Sequence, residues 1–315
     1  MLGFSGLESS LVIAGPTAIG KTSVALAMAR RRPGRFEIIS ADSVQIYRRF
    51  DIGSAKPTTA ERAGAPFHLV DIADPDEDFT LVDFQSAATD AISSILRRGN
   101  IPLIVGGTGL YIRSIVKGLG VPIAGPDTAL RAELNQTAAT FGSQALHERL
   151  LAIDQISAER IHQNDLKRII RALEVFYLTG RPLSGWHQQD VARPRGRPLG
   201  YIVLNRDRDN LYQTIDKRVE SMFAEGLLDE VAGLRKDGYS AALKPMTSVG
   251  YQQANAVFDC SLSLPDAIEL TKAATRQYAR RQLIWFRGEE VSDWIDVEEN
   301  TADSIAEKIL DLRDW

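Results

Sequence analysis

Short apolar runs and helical spacings alternate along the first third of the chain. Leu11-Val12-Ile13-Ala14, Phe36-Glu37-Ile38-Ile39, Phe67-His68-Leu69-Val70-Asp71-Ile72 and Ile101-Pro102-Leu103-Ile104-Val105 read as strands. The last is nearly continuous in apolar character, as a strand buried on both faces must be. The stretch 22–30 reads as a helix after the first strand. Thr80-Leu81-Val82-Asp83 is a capping signature. The helix it opens runs to about Arg98, with Phe84, Ala87, Ala88, Ala91 and Ile95 on one face. This alternation predicts an α/β fold built on a parallel sheet.

From Val121 the alternation stops. Pro122, Gly125 and Pro126 mark a break, and helix-like stretches follow around 127–140, 143–151 and 165–178. Residues 181–197 are polar and basic, with Trp186, His187, Gln188 and Gln189 among them: a loop able to contact a flexible nucleic acid, or an ordinary connection. Tyr201-Ile202-Val203-Leu204 restores strand texture, and helices are expected over 211–225 and 227–236. Ser263-Leu264-Pro265-Asp266 starts a long helix that continues to Arg287, with Pro in its first turn. The tail after Glu289 is acidic, and no element is predicted there. The domain reading is therefore a core of 1–121 and 201–315 with an all-helical insertion, 122–200.

Composition fits that picture. With 315 residues, 44% hydrophobic and 25% charged, the chain can bury a large core. One cysteine, Cys260, excludes an internal disulfide framework and a cysteine zinc site, and suits a reducing cytoplasm. No apolar run reaches the roughly eighteen residues a membrane span needs. Met1 to Ser10 lacks the basic-then-apolar pattern of a signal peptide. Net charge is −4, a weak argument against a nucleic-acid partner, because local clustering matters more. Such clusters exist. Arg30-Arg31-Arg32 ends the first helix, where cations also serve as plain capping. Lys167 and Arg171 share a helix face with Arg168 alongside, as a solvated face or a phosphate contact. Arg276, Arg280 and Arg281 crowd one turn and a half of the long helix.

The most specific motif is Gly15-Pro16-Thr17-Ala18-Ile19-Gly20-Lys21-Thr22, which fits G-x-x-x-x-G-K-[ST] at every fixed position. A strand precedes it and a helix follows, as that motif requires. Its backbone N–H groups can cradle phosphate oxygens, the helix N-terminus adds its dipole, Lys21 offsets charge, and the Thr22 hydroxyl can hold Mg²⁺. The fold class is thus α/β: a P-loop NTPase-like core with a parallel sheet flanked by helices, plus the helical insertion. Asp42 follows the second strand at the mouth of the expected sheet, as a general base, a substrate ligand or a helix N-cap. Gly106-Gly107-Thr108-Gly109 follows the fourth strand, allowing close approach to a ligand or simply a tight turn.

Taken together, several segments resemble the bacterial tRNA dimethylallyltransferase (tRNA isopentenyltransferase) family. They are the phosphate loop, Ala41-Asp42-Ser43-Val44-Gln45-Ile46-Tyr47, Asp51-Ile52-Gly53-Ser54-Ala55-Lys56-Pro57, Phe67-His68-Leu69-Val70-Asp71-Ile72, and Pro102 through Tyr111. Arg160-Ile161-His162-Gln163-Asn164-Asp165, Arg168 through Val175, and Thr275 through Arg287 complete the set, in order along nearly the whole chain. The resemblance implies transfer of a dimethylallyl group from dimethylallyl diphosphate to the N6 amine of the adenine on the 3′ side of the tRNA anticodon. It implies Mg²⁺, a helical domain holding the anticodon stem-loop, and a cytoplasmic enzyme working as a monomer with no obligate protein partner. Diphosphate ligands would be Gly15, Pro16, Thr17, Ala18, Ile19, Gly20, Lys21, Thr22 and Arg218. Asp42 would take a hydrogen bond or proton from the amine, and Thr108 would face the bridging oxygen. Contacts to tRNA would come from Asp42, Ser43, Val44, Gln45, Thr108, Arg131, Lys167, Arg168, Ile169, Ile170 and Arg171, with the basic surface of Arg276, Arg280 and Arg281 added from its helix.

The chain departs from the family pattern in places. Gln155 stands where Pro is usual, Thr214 where Arg is frequent one turn before Arg218, and the residue before Gly250-Tyr251 differs. No C-terminal zinc finger of the eukaryotic kind is expected. Two other activities compete: an adenylate isopentenyltransferase, which prenylates a free nucleotide, and a P-loop small-molecule kinase. The kinase would need an acidic strand for metal, for which Asp71 is the one ambiguous candidate.

Overall fold

The computed structural model describes residues 6–119, 125, 127–186, 197–298 and 300–312. Its strands are β1 (Leu11–Ala14), β2 (Phe36–Ala41), β3 (Phe67–His68), β4 (Ile101–Gly106), β5 (Gly200–Asn205) and β6 (Asp293–Asp296). They form one sheet in the order β3-β2-β4-β1-β5-β6, every pairing parallel. The helices are α1 (Lys21–Arg31), α2 (Thr59–Arg62), α3 (Leu81–Arg97), α4 (Gly109–Val116), α5 (Thr128–Ile153), α6 (Gln155–Arg160) and α7 (Leu166–Thr179). After β5 come α8 (Arg208–Ala224), α9 (Leu227–Lys236), α10 (Tyr251–Phe258), α11 (Leu264–Arg287) and α12 (Ala302–Asp311). The chain divides into two compact units, one of 1–79, 83–116 and 196–315, the other of 80–82 and 117–195.

In the first unit, every residue of β1, β2 and β4 is buried, because helices cover both faces of the sheet. One apolar cluster joins Leu11, Ile13 and Leu103 of the sheet to Met28 of α1 and Ile309 of α12. The register aligns Ala14 with Gly106 and Ala41 with Gly106. The C-terminal ends of β1, β2 and β4 therefore finish level, and the three loops leaving them converge. That is where open α/β sheets bind ligands. A second cluster anchors the loop after β2: Ile46, Tyr47 and Phe50 pack on Leu227, Val231 and Tyr251. Burying each large side chain there contributes about 1.5–3 kcal/mol.

The expected strand over 67–72 is only β3. Leu69 (φ 62°) and Asp71 (φ 57°) turn left-handed, which breaks pairing. Asp71 gives its carboxylate to Lys56 Nζ (2.6 Å) and Arg62 Nη1 (2.8 Å). Burial pushes the Asp71 pKa up, but Lys56 and Arg62 outweigh it and hold it below the usual carboxylate range. Asp71 is thus a clamp on the 47–62 segment, and the metal role considered for a kinase is corrected. The acidic tail also differs from expectation. It holds β6, an edge strand of alternating exposure, and α12, whose Ile305, Ala306 and Ile309 are buried. Trp294 and Ile295 lie between aspartates, so the run is too short and polar to show as a strand in the sequence.

In the second unit, α5, α6 and α7 pack around Leu134, Leu146, Leu150, Ile169 and Leu173. Gly142 (φ 82°, ψ 161°) interrupts α5 where the sequence reads as two helices. Asp127, Asp154 and Asp165 cap the three helices through N–H groups of Leu130, Ser157 and Arg168. Gln155 is the first residue of α6, so its departure from the family Pro falls on a helix start. His187, Gln188, Gln189 and the break residues 121, 122 and 126 lie outside the described residues.

Candidate active site

Two cavities open at the C-terminal ends of β1, β2 and β4, both within the α/β unit. The first, about 190 Å³, is lined by the phosphate loop, by Gly106 at the end of β4 and Gly107 after it, and by Arg218 of α8. The second, about 280 Å³, adds Ile215, Val219 and Met222 of α8 and Val249, and is mainly apolar. Thr17, Asp42, Ser54, Arg218 and Tyr278 border both.

The phosphate loop leaves β1 through Gly15, at φ 147°, where a Cβ would fall 2.8 Å from the Leu204 carbonyl oxygen. Only glycine fits that approach. Lys21 Nζ donates to the Pro16 carbonyl (2.7 Å), folding the lysine back over the loop. Burial, and next the charge of Arg218, push the Lys21 pKa down to about 7, against a smaller upward pull from Asp42. Arg218 makes no hydrogen bond or ion pair among the described residues. Burial holds its pKa below the usual guanidinium range, with Asp42 opposing. Lys21 and Arg218 thus face one polar cavity with no ion pair to either among the described residues, Asp42 being the carboxylate that borders it with them, an arrangement that favours an anionic ligand.

Asp42 Oδ1 accepts from the N–H groups of Val44 (2.8 Å) and Gln45 (3.2 Å). The N-cap reading is met in part, on a turn rather than a helix, and by one oxygen. Oδ2 makes no hydrogen bond among the described residues. Gln45 is spent internally: Oε1 accepts from Ser40 Oγ (3.0 Å), and Nε2 donates to the carbonyls of Ser54 and Ala55 (both 3.2 Å). It holds the 51–57 segment over the phosphate cavity. That segment is also tied by Glu230 of α9, whose carboxylate accepts from the N–H groups of Asp51, Ile52 and Gly53. Thr108 Oγ1 accepts from Ser43 N–H (3.2 Å), bringing the β2 and β4 loops together.

Two residues of α11 complete this site, and sequence reasoning gave them no role. Gln282 Oε1 accepts from Thr17 N–H, and its Nε2 donates to the Gly107 carbonyl, each at 2.8 Å. Tyr278 borders both cavities. Burial, then the Asp42 charge, push its pKa up to about 12, while Thr108 and Gln282 beside its hydroxyl act the other way. The signal was available as spacing. Thr271, Thr275, Tyr278 and Gln282 recur at helical intervals on one face of α11.

Other expected contacts fall elsewhere. Arg276 is paired with Asp216 of α8 (2.6 Å), so it clamps two helices. Arg280 and Arg281 are exposed, the latter 5.9 Å from the Tyr278 ring. In the helical unit, Ile169 and Ile170 are buried core residues, 0% and 6% exposed. Their side chains pack the unit. Glu174, fully buried, accepts from Arg131 Nε (2.7 Å) and Arg171 Nη1 (2.6 Å). Lys167 and Arg168 are exposed, Arg168 within 3.5 Å of Asp165. Thr214 does not line either cavity; its hydroxyl accepts from Arg206 Nη1 (3.0 Å).

Comparison with known proteins adds independent observations. A family model described as IPP transferase matches residues 45–289, and one described as isopentenyl transferase matches 9–66. The tRNA dimethylallyltransferase of Heliobacterium modesticaldum is 44% identical over 302 residues, covering 96% of this chain and 94% of the relative. That of Chloroflexus aurantiacus is 47% identical over 281 residues, 89% and 93% of the two. Among solved structures, the full-length tRNA isopentenylpyrophosphate transferase of Bacillus halodurans superposes with a TM-score of 0.69 at 38% identity, covering 97% of this chain and 95% of that one. A eukaryotic dimethylallyltransferase acting on tRNA superposes with a TM-score of 0.74 at 25% identity, covering 96% and 80%.

Proposed function

The chain belongs to the IPP transferase family, and from that premise we propose that it is a tRNA dimethylallyltransferase. It transfers the dimethylallyl group of dimethylallyl diphosphate to N6 of the adenine on the 3′ side of the tRNA anticodon. The observation that carries the reading is the meeting of a cationic phosphate cavity and an apolar cavity at Asp42, Arg218 and Tyr278.

The diphosphate sits in the phosphate loop against backbone N–H groups, Lys21 and Arg218. The five-carbon group extends past Asp42 toward the apolar cavity. The adenine leaves its stack to bring its amine beside Asp42. The amine nitrogen bonds to the allylic C1 as the C1–O bond breaks, and diphosphate departs with the electron pair. The amine proton moves toward Asp42 Oδ2, the oxygen left free by the Val44 and Gln45 N–H groups. Lys21 and Arg218 stabilise charge that grows on the leaving group, and the Thr108 hydroxyl donates to its bridging oxygen.

The residues fit Mg²⁺. Thr22 lines the phosphate cavity and its hydroxyl makes no hydrogen bond among the described residues. Mg²⁺ is usually held by one or two protein oxygens together with substrate phosphates and water. Thr22 would hold the ion, which when bound would offset diphosphate charge. Lys167 and Arg168, exposed on α7, contact the phosphates of the anticodon stem-loop. The protein works as a cytoplasmic monomer.

The test is transfer from radiolabelled dimethylallyl diphosphate with Mg²⁺, offering unmodified tRNA and AMP in parallel. Label enters tRNA and not AMP, and Asp42→Ala lowers the rate by about 10²–10⁴-fold. Label in AMP alone would move the protein to nucleotide prenylation. ATP turnover without label in either would make it a kinase.

A further inference from the structure

The phosphate cavity takes its cations from two elements, Lys21 from the start of α1 and Arg218 from α8. Among the described residues, no hydrogen bond or ion pair joins the phosphate loop to α8. The long helix α11 is bonded to both. Toward its C-terminal end, Gln282 Oε1 accepts from Thr17 N–H of the phosphate loop, and Nε2 donates to the Gly107 carbonyl, each at 2.8 Å. Gln282 is 6% exposed, and a Cβ on Gly107 would fall 2.3 Å from its Nε2, so glycine there is what admits the amide. Back along α11 by about 9 Å of helical rise, Arg276 Nη1 donates to both carboxylate oxygens of Asp216 on α8 (2.6 and 2.7 Å).

The ties to α8 bracket Arg218. Asp216 stands on its N-terminal side, and Glu220, on its C-terminal side, is paired with Lys272 of α11 (2.6 Å). Glu220 is exposed and shares Lys272 with Glu269, so that pair contributes less than the half-buried Arg276–Asp216 pair. Ile215 and Val219 of α8 belong to the same apolar cluster as Ala279 of α11. Such packing holds helices together but is non-directional. The directed bonds at Gln282 and Arg276 are what fix register. Register matters here because an anion between two cations gains most when both stand in place before it arrives: attraction falls with separation, and ordering groups at binding is a cost.

We propose that α11 is a strut that sets the spacing of the phosphate loop against Arg218, with Gln282 and Arg276 as its positioning residues. The inference rests on the assignment of a diphosphate to this cavity in the reading above. Gln282 acts through Thr17 and Gly107, and Arg276 through Asp216.

The test is a double-mutant cycle on the full chain, reading the dissociation constant of inorganic diphosphate in the wild type, Gln282→Ala, Arg276→Ala and the double variant. Each single change raises it about fivefold. The double variant stays near fivefold, because a strut released at one end is released as a whole, whereas independent sites would multiply to about 25-fold. A multiplied loss overturns the proposal, and so does an unchanged constant in either single variant. Arg276→Lys stays within about twofold of the wild type, because one nitrogen makes both contacts to Asp216 and an ammonium can replace it. A loss in Arg276→Lys equal to that in Arg276→Ala contradicts the strut. KM for tRNA is unchanged in Arg276→Ala. A raised KM for tRNA with diphosphate affinity intact would make Arg276 an RNA contact and overturn its role here. Diphosphate binding without prenyl transfer in the wild type would fail the prenyl-transfer reading alone.

Discussion

In the α/β unit, Lys21 and Arg218 face the phosphate cavity with no ion-pair partner among the described residues, and burial lowers the pKa of both. In the helical unit, Arg131 and Arg171 converge on the buried carboxylate of Glu174, whose pKa burial raises but the two guanidiniums lower further. Lys167 and Arg168 are among the cations left exposed at the surface there. The difference separates two uses of positive charge. A half-buried cation that makes no ion pair is held at a cost to folding, and a bound anion relieves it. An exposed cation costs little and contributes through long-range, screened attraction to a polyanion.

The comparison can be broken from either side. Arg218→Gln has the larger expected effect. Transfer from dimethylallyl diphosphate falls about 10²–10³-fold in kcat/KM, as when one transition-state donor is lost. Because Arg218 has no ion-pair partner among the described residues, Tm does not fall. A drop in Tm with transfer preserved would make Arg218 a structural residue. Lys167→Ala has the smaller effect and a different signature. It weakens tRNA binding a few-fold and reduces the slope of log affinity against log salt by about one. KM for dimethylallyl diphosphate does not change. A salt slope equal to the wild type would remove Lys167 from the RNA contact.

How much of this was legible depended on whether a residue's role is local. The phosphate loop carries its own strand, glycines and helix within a dozen residues, and the apolar runs of β1, β2, β4 and β5 stand out because each is buried on both faces. Asp42 and Thr108 could be placed at strand ends by position alone. Pairings distant in sequence could not be read. Arg276 resembles any helical surface cation until Asp216 is found opposite it, and Ile169 and Ile170 sit in a basic segment that hides their inward face. Gln282 is an amide in a polar helix, with partners 175 and 265 residues away. β6 was missed because Trp294 and Ile295 lie between aspartates at a sheet edge.

The central claim is that this phosphate loop seats a diphosphate against Lys21 and Arg218, which make no ion pair among the described residues, and the most direct measurement is the affinity for inorganic diphosphate as pH is raised from 6 to 9. Lys21 titrates at about 7 in the free protein, well below its ordinary value. The bound anion favours the charged lysine and raises its pKa, so binding takes up a proton once pH exceeds the free value. Diphosphate also ionises in this range, so the quantity to read is the dissociation constant of the wild type relative to that of Lys21→Met, from which the protonation of the ligand cancels. That ratio should be small and flat below about pH 7 and rise toward one above it, approaching tenfold per pH unit until the raised pKa of the complex is reached. A ratio near one throughout, or one that does not change with pH, would contradict the account.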